Sequence, residues 1–202
     1  MTPTRGPAPD GRGAAQREAF LAGTVAHMLG HGVATLSLRP LAAELGTSDR
    51  MLLYYFGTRE QLLVAALDEV GRQLRSGLVK ALPAVRVPPA QLVRQAWAAL
   101  QAPEAEPHLR LYVEVSGLTA RGREPFGTAA RAVARAWLEW VAERLDVAPE
   151  QREAAAAGVL GVLDGLLLLR FVVDRDHADA AAGWLGDALD GPGHGVGRPP
   201  VG

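Results

Sequence analysis

Polar side chains with the chemistry of nucleic-acid contact follow one another at positions 48 to 50. An arginine such as Arg50 can bind the O6 and N7 atoms of guanine with two hydrogen bonds. Asp49 can accept a hydrogen bond from cytosine N4, or it can simply favour the positive end of a helix dipole. Ser37 and Ser48 can each cap a helix, and the N–H groups beside a cap can also bind phosphate. These residue types indicate a nucleic-acid contact if they lie at exposed helix starts.

The elements that would position these side chains are two short helices in SLRPLAAELGTSDRMLLYYF. Ser37 is expected to cap the first and Ser48 the second. Gly46 and Gly57 should end them, because glycine adopts positive φ at little cost. The apolar positions recur at helical spacing: Leu38, Leu41, Ala42 and Leu45 in the first helix, Met51, Leu52, Tyr55 and Phe56 in the second. Two short helices around a glycine turn predict a helix-turn-helix, whose second helix can enter a major groove.

A third helix is expected to follow at once. Thr58 with Gln61 three residues later has the pattern of a capping box. The apolar stripe then continues to about Leu82, and Pro83 should end the helix. This helix is long enough to join a first lobe to a second.

The order of these residues resembles the TetR family of bacterial transcription regulators. The match runs over roughly residues 17–70: Leu41-Ala42, the Gly46 turn with Ser48 two residues on, Tyr54-Tyr55-Phe56, and Thr58-Arg59-Glu60-Gln61-Leu62-Leu63. The chain departs from the usual family pattern at Leu53, where tyrosine is common, and at Arg50, where a small residue is common. Beyond residue 70 the resemblance is architectural only.

The resemblance implies further contacts with double-stranded DNA. It places Arg39 where the family reaches a base edge or a phosphate, although an exposed arginine can also merely solvate a short helix. It places Tyr54, Tyr55 and Arg59 where the family often contacts the DNA backbone. Tyr55 can equally be a core residue, because it shares a face with Leu52.

Composition limits the other classes of function. The chain has 202 residues, no cysteine and a net charge of −1, so disulfides and thiol chemistry are excluded and nucleic-acid binding must depend on where the charges lie. The N-terminal residues have no apolar segment of the signal-peptide kind, and the run Val159–Val173 is interrupted by Asp164 and Arg170, so we expect a cytoplasmic protein without a membrane span. No phosphate loop, hydrolase elbow or HExxH motif occurs, and His27 with His31 is an isolated i, i+4 pair. We therefore expect no enzyme, no cofactor and no metal site.

The rest of the chain predicts an all-α protein of about nine helices. Residues 1–15 and 191–202, rich in proline and glycine, are expected to be disordered tails. Between them we expect a helix-turn-helix domain over residues 16–62 and a ligand-binding and dimerisation domain over residues 63–190. The first helix is expected from about Arg17 to Leu29.

The eighth helix, expected from Pro149 to about Val173, has almost no polar face. A helix that is apolar all round must be covered on all sides, either inside a monomeric core or by a partner chain. Three glycines along it would let a second backbone approach closely: Gly158, Gly161 and Gly165. The resemblance implies a homodimer built from the last two helices of each subunit.

The second domain offers aromatic side chains for a small apolar or aromatic effector. The candidate ligand-binding residues are Trp97, Tyr112, Phe126, Trp137 and Phe171. Each can instead be an ordinary core aromatic. His108, Arg110 and Glu114 can orient a polar ligand group or face solvent. The pocket is expected between the fourth, seventh and eighth helices.

Together these patterns favour a ligand-responsive transcriptional regulator, a repressor released from a pseudo-palindromic operator by its effector. The alternative is a helical ligand-binding or scaffold protein without specific DNA binding, for which the departures at Arg50 and Leu53 are the hint.

Overall fold

The computed structural model describes residues 11–34, 36–82 and 84–190, and this part of the chain forms nine α-helices and no strand. Single turns of 3-10 helix, Pro103–Ala105 and Pro149–Gln151, precede the sixth and eighth helices. The predicted all-α fold is confirmed. The helices are α1 Gly11–His31, α2 Leu38–Glu44, α3 Asp49–Phe56, α4 Arg59–Ala81, α5 Pro89–Leu100, α6 Glu106–Ala120, α7 Phe126–Ala142, α8 Arg152–Val172 and α9 Arg175–Asp190.

Local signals set most helix ends where they were expected. The Ser48 hydroxyl accepts a hydrogen bond from Met51 N at 3.3 Å and caps α3. Thr58 and Gln61 form both bonds of the capping box, Thr58 N to Gln61 Oε1 at 2.9 Å and Gln61 N to Thr58 Oγ1 at 3.1 Å. Gly46 and Gly57 have φ of +64° and +82°, which explains glycine at both turns.

The prediction that the Ser37 hydroxyl caps α2 is wrong. Ser37 occupies the N-cap position with an extended backbone, but its side chain makes no capping hydrogen bond. Pro40 at the third helical position removes one of the two N–H groups from which an N-cap oxygen can accept, and Ser37 does not accept from the other, Arg39 N.

Helix α1 begins at Gly11, earlier than the expected start near Arg17. Residues 11–15 are therefore helical, whereas the predicted N-terminal tail included them; residues 1–10 lie outside the described part, as does the predicted tail 191–202. Arg12, Ala14 and Ala15 are good helix formers, and each adds a hydrogen bond to a helix already nucleated by its buried turns. The Arg17 guanidinium also lies 4.8 Å from the centre of the Phe56 ring.

The chain divides into two compact units, and the first is discontinuous in sequence. Unit 1 comprises the described residues up to Arg75 together with Pro107–Val133. Its core is built from α1 to α4 and is completed by the second segment, with Leu111, Val115, Phe126 and Ala129 buried in the same cluster as Met28 and Leu52. The expected boundary near residue 62 therefore does not coincide with the contacts, because α6 and the start of α7 pack into the first unit.

Unit 2 comprises Ser76–Glu106 and the described residues from Ala134 onward, and α5, α8 and α9 pack together in it. Polar contacts tie these helices to one another. Trp97 Nε1 donates to Asp179 Oδ1 at 2.8 Å. The buried Arg170 guanidinium donates to Gln101 Oε1 at 2.7 Å and to Glu106 Oε2 at 3.0 Å.

Helix α8 has one buried side and one exposed side. Ala156, Val159, Leu163, Leu166 and Leu167 are buried. Exposed residues recur along the other side: Ala154, Ala157, Gly158, Gly161, Gly165, Leu168 and Val172. Residues 149–172 form the one described segment long and apolar enough to cross a bilayer by length and composition, and the core helix of a soluble protein passes the same test.

Candidate nucleic-acid interface and effector-binding lobe

Helix α3 is anchored on one side and exposed on the other. Leu52 and Phe56 are buried in the core of unit 1. Tyr54 is 75% exposed and Leu53 36% exposed. Met51, expected on the buried side, is 39% exposed, because the buried stripe of this short helix has room only for the i, i+4 pair. The helix therefore presents a continuous outer surface to solvent.

The two charged residues at the start of α3 have exposed side chains. Asp49 Oδ1 accepts a hydrogen bond from Arg50 N at 2.9 Å, so the carboxylate already serves the N-terminal turn of its own helix. This contact favours the helix-dipole alternative for Asp49. The exposed Arg50 remains the base-reading candidate of α3.

Tyr54 and Tyr55 differ in surroundings although they are neighbours. The half-buried Tyr55 ring meets Phe20 edge to face with centres 5.5 Å apart, and it meets the Tyr54 ring at 5.1 Å. Tyr55 is therefore a core ring, as one of the two alternatives predicted, and Tyr54 is the tyrosine presented to solvent.

Two of the remaining predicted residues lie at the start of α2, and the third is the first residue of α4. Ser37 and Arg39, the two at α2, are exposed. Arg59, expected to contact DNA phosphate, uses Nη2 to donate to the Leu36 carbonyl at 2.7 Å. That bond holds the chain entering α2 against the start of α4, so Arg59 has a structural task as well as a charge.

Glu114 on α6 supports the same region and was missed as such by sequence reasoning, which placed it near a ligand or solvent. Its Oε1 accepts from Val33 N at 3.0 Å and from Ala34 N at 2.7 Å. Gly32 precedes them with φ +78°, and a Cβ at this glycine would lie 2.7 Å from Glu114 Oε2. Glu114 thus holds the α1–α2 connection across a separation of 81 residues, a contact that no local pattern announces.

Comparison with known proteins agrees with this geometry. Residues 20–66 match the sequence profile of the family described as "Bacterial regulatory proteins, tetR family". The helix-turn-helix segment of the chain is therefore that of the TetR family. A search among curated protein sequences gives no significant match.

Solved structures of several proteins share the fold over most of the chain. A TetR-family regulator described as putative, from Rhodococcus sp., is 17% identical with a TM-score of 0.69, covering 88% of this chain and 97% of its own. EbrR, a multidrug binding protein complexed with imidazole, is 26% identical with a TM-score of 0.63, covering 90% and 96%. EbrR complexed with proflavin gives 25% identity and a TM-score of 0.64, covering 86% and 99%.

The five effector-binding candidates of this chain fall in two different units. In unit 1, Phe126 is buried in the core and Tyr112 is 37% exposed. In unit 2, the buried Trp97 is bonded to Asp179, Trp137 packs edge to face on Trp140 at 5.5 Å, and Phe171 is half-buried beside the Arg170 guanidinium. Trp97 and Phe126 are thus placed as core aromatics, the alternative considered for each.

A groove of about 440 Å³ lies within unit 1, between α4 and α7. None of the five candidates lines it. Its wall is mostly apolar and consists of Glu60, Gln61, Val64, Ala65, Asp68, Ala129, Ala132 and Val133. The groove begins directly after the helix-turn-helix. A molecule bound in it would contact α4, the helix that follows the recognition helix α3.

Unit 2 contains polar atoms that sequence reasoning did not single out. Gln95 Oε1 on α5 and Trp140 Nε1 on α7 are buried and have no hydrogen-bond partner among the described residues. A buried polar atom without a partner costs free energy, so the two atoms mark places where packing alone does not satisfy the described side chains.

Proposed function

We propose that this chain is a ligand-responsive TetR-family repressor that binds a pseudo-palindromic operator as a homodimer. The observation that carries the proposal is the outer surface of α3, where Arg50 and Tyr54 are exposed while Leu52 and Phe56 anchor the helix. A helix held this way places side chains in a major groove without unfolding its own support. Arg39 at the start of α2 would add a second cation.

The dimer is inferred from the exposed side of α8. Leu168 is 52% and Val172 78% exposed, and a Cβ added at Gly158, Gly161 or Gly165 would meet nothing within 4 Å. Trp184 on α9 is 70% exposed. An apolar surface of this kind, smooth because of its glycines, suits the same surface of a second copy related by twofold symmetry.

A cytoplasmic location follows from the same inference. Arg170 near the end of α8 turns its guanidinium onto Gln101 and Glu106. These bonds belong to helix packing inside a soluble protein, so a second subunit rather than lipid is the proposed cover for α8.

The effector is proposed to be a small apolar or aromatic molecule. EbrR, at about a quarter identity, is described in complex with imidazole and with proflavin, both aromatic nitrogen heterocycles. In this chain Trp137 and Trp140 form a ring pair on α7, with a free buried Nε1 on Trp140 among the described residues. The Arg144 guanidinium already lies over the Trp140 ring, 3.9 Å from its centre. A flat ring packed against Trp137, with one acceptor for Trp140 Nε1, would suit this environment.

Coupling between effector and DNA is proposed to run along α6. Its first residue, Glu106, accepts from Arg170 of α8 at 3.0 Å, and about two turns later Glu114 holds the α1–α2 connection. A ligand that binds more tightly when α6 is in one position would favour that state. It would thereby change the fraction of molecules whose helix-turn-helix fits the operator.

The test of DNA binding is fluorescence anisotropy with labelled DNA from upstream of the chain's own gene, beside a scrambled duplex of equal length and composition. We expect tighter binding to the natural sequence, and loss of that preference in an Arg39→Ala/Arg50→Ala double variant. Equal affinity for both duplexes would favour the alternative function, a helical ligand-binding or scaffold protein without specific DNA binding.

The test of effector class is a thermal-shift screen that compares planar aromatic compounds with phosphorylated metabolites, followed by DNA-release assays on each hit. We expect hits among the aromatic compounds, and Trp137→Ala should abolish their release of DNA while leaving DNA affinity unchanged. Stabilisation only by phosphorylated metabolites would contradict the proposed effector chemistry.

A further inference from the structure

Three side chains with metal-binding chemistry meet between α1 and α2. His27 and His31 lie one turn apart near the end of α1, and Glu44 is the last residue of α2. One potential ligand atom from each lies within 4.8 Å of the other two. Sequence reasoning saw the histidine pair but not Glu44, because the carboxylate arrives from another helix.

We propose that His27, His31 and Glu44 bind one divalent transition-metal ion of the Zn²⁺ or Ni²⁺ class. Two imidazoles and a carboxylate are ligands that these ions share, whereas Mg²⁺ and Ca²⁺ take oxygen ligands almost exclusively. The i, i+4 spacing on a helix places both imidazoles on one face. Water would complete the coordination.

The histidine rings lie side by side, stacked with centres 4.7 Å apart and an interplanar angle of 28°. At least one ring must rotate about its χ2 bond for both nitrogen lone pairs to point at one ion. His31 Nδ1 lies 3.2 Å from the carbonyl oxygen of His27, and donation of a proton there leaves the lone pair on Nε2 for a metal. A histidine ligand that donates its other N–H to a backbone carbonyl is the usual outer-sphere arrangement of metal sites.

Glu44 is close enough to join and exposed enough to adjust. Its Oε2 lies 2.6 Å from His27 Nδ1, and its side chain is 47% exposed while that of His27 is 15% exposed. Two ligand atoms on one Zn²⁺ with bonds of about 2.0–2.1 Å lie about 3.3 Å apart in a tetrahedron, so the carboxylate must withdraw by less than about 1 Å. The end of an exposed glutamate can make that movement without disturbing either helix.

An ion bound here would join α1 to α2 across 17 residues of sequence. The two helices belong to the same unit, and α2 leads directly into the recognition helix. Because an ion binds only the folded arrangement of these three ligands, it would stabilise the folded helix-turn-helix and α1 by mass action.

The experiment uses the full chain without an affinity tag, treated with chelator and then titrated calorimetrically with ZnCl₂ and separately with NiCl₂. We expect one ion per chain, a rise in melting temperature on adding Zn²⁺, and no effect of MgCl₂. His31→Gln should weaken binding at least tenfold. His177→Gln is the matched control, because His177 also pairs with an acid, Asp174, but has no second imidazole beside it within the described part of the chain. The metal affinity of this variant should equal that of the wild type.

Cobalt gives a spectroscopic test of the coordination itself. Co²⁺ added to the wild type should develop visible absorption bands that His31→Gln and Glu44→Gln lack; Glu44→Gln alters an exposed side chain and keeps the measurement decisive if His31→Gln is poorly folded. Equal Zn²⁺ affinity in the wild type and both variants would overturn the proposal, as would loss of binding in His177→Gln. A wild type that binds no ion would show that His27 and Glu44 form only a hydrogen-bonded pair, and would overturn the proposal.

Discussion

Helices α3 and α8 each expose one side, and the two surfaces have opposite chemistry. Helix α3 presents charge and a phenol, with Asp49, Arg50 and Tyr54 in solvent. Helix α8 presents glycines and aliphatic side chains, with Gly161, Gly165 and Leu168 in solvent. Leu52 and Phe56 anchor α3, and buried leucines anchor α8, so the two helices differ in what their exposed surfaces can contact. A polar, irregular surface suits a groove of bases and phosphates; a smooth apolar one suits its own copy.

The strongest test of this contrast is Gly161→Arg. A Cβ at this position meets nothing within 4 Å in the single subunit, so the arginine has room in the monomer and its cost falls on the dimer alone. We expect dimerisation to weaken by at least about 2 kcal/mol, or about 30-fold in Kd, because a buried charge would lack a partner. Analytical ultracentrifugation measures the change.

Gly117→Arg is the matched control for that variant. Gly117 also lies in a helix, is exposed and has open space around its Cβ position, but it is on α6. Its dimerisation should equal that of the wild type. Equal weakening by both substitutions, or a wild type that is monomeric at micromolar concentration, would remove α8 as the interface.

The second test concerns the polar surface. Arg39→Ala and Arg50→Ala should each cost about 1–3 kcal/mol of affinity for the preferred DNA and relax specificity at one position per half-site. Arg59→Ala should instead weaken binding to all sequences, since it removes a charge and frees the Leu36 carbonyl. Anisotropy titrations over a range of salt separate the two kinds of loss. An equal loss on specific and scrambled DNA for Arg39→Ala would exclude it as a base reader.

These two surfaces also show what a sequence can predict. The helix-turn-helix was predictable because its signals are local: the Ser48 cap, the Gly46 and Gly57 turns, and the reciprocal Thr58–Gln61 pair all act within four residues. The Ser37 cap is absent, and an equally local effect contributes: Pro40 lacks one of the two N–H groups that such a cap could use.

Contacts between distant segments were beyond reach of the same reasoning. Glu114 contacts the α1–α2 connection, and Glu44 meets His27, only because helices from different parts of the chain pack together. Sequence reasoning also did not predict which unit each effector candidate would join. An aromatic residue type predicts burial but not its neighbour, so Phe126 lies in the core of unit 1 while Trp97 is bonded to Asp179 in unit 2.

A third prediction measures the support given to the polar surface. Glu114→Gln replaces a charged acceptor of two backbone N–H groups by a neutral amide, and we expect the free energy of unfolding to fall by about 1–2 kcal/mol. Urea denaturation gives the value, and DNA affinity should fall with it because the α1–α2 connection loosens. Glu139→Gln, an exposed position on α7, supplies the comparison and should leave both quantities unchanged.

The smallest expected effect concerns the start of α9, beside the apolar surface. The backbone N–H of His177 and then its side chain lower the pKa of Asp174. Because the folded pKa is lowered, the carboxylate stabilises the fold at pH above the ordinary aspartate range, and that contribution is lost as pH falls through the folded pKa. Asp174→Asn should therefore melt below the wild type at neutral pH, with the gap closing in acid.

Thermal denaturation at several pH values tests this. Asp187→Asn is the comparison, because it removes the same charge from within α9, whereas Asp174 lies just before the helix and accepts from its first turn. A gap between wild type and Asp174→Asn that stays constant from neutral to acidic pH would contradict the role given to the carboxylate.

The discontinuity of unit 1 has a consequence for protein engineering. A fragment ending at Arg75 would contain the entire helix-turn-helix yet lack Leu111, Val115 and Phe126 from its core, and it would lose the Glu114 carboxylate that holds the α1–α2 connection. The helix-turn-helix part of this chain therefore cannot be moved into another protein by itself. A chimera that exchanges it with another regulator must carry residues 107–133 as well, or the grafted helices will bring a sequence preference without the interior that keeps them folded.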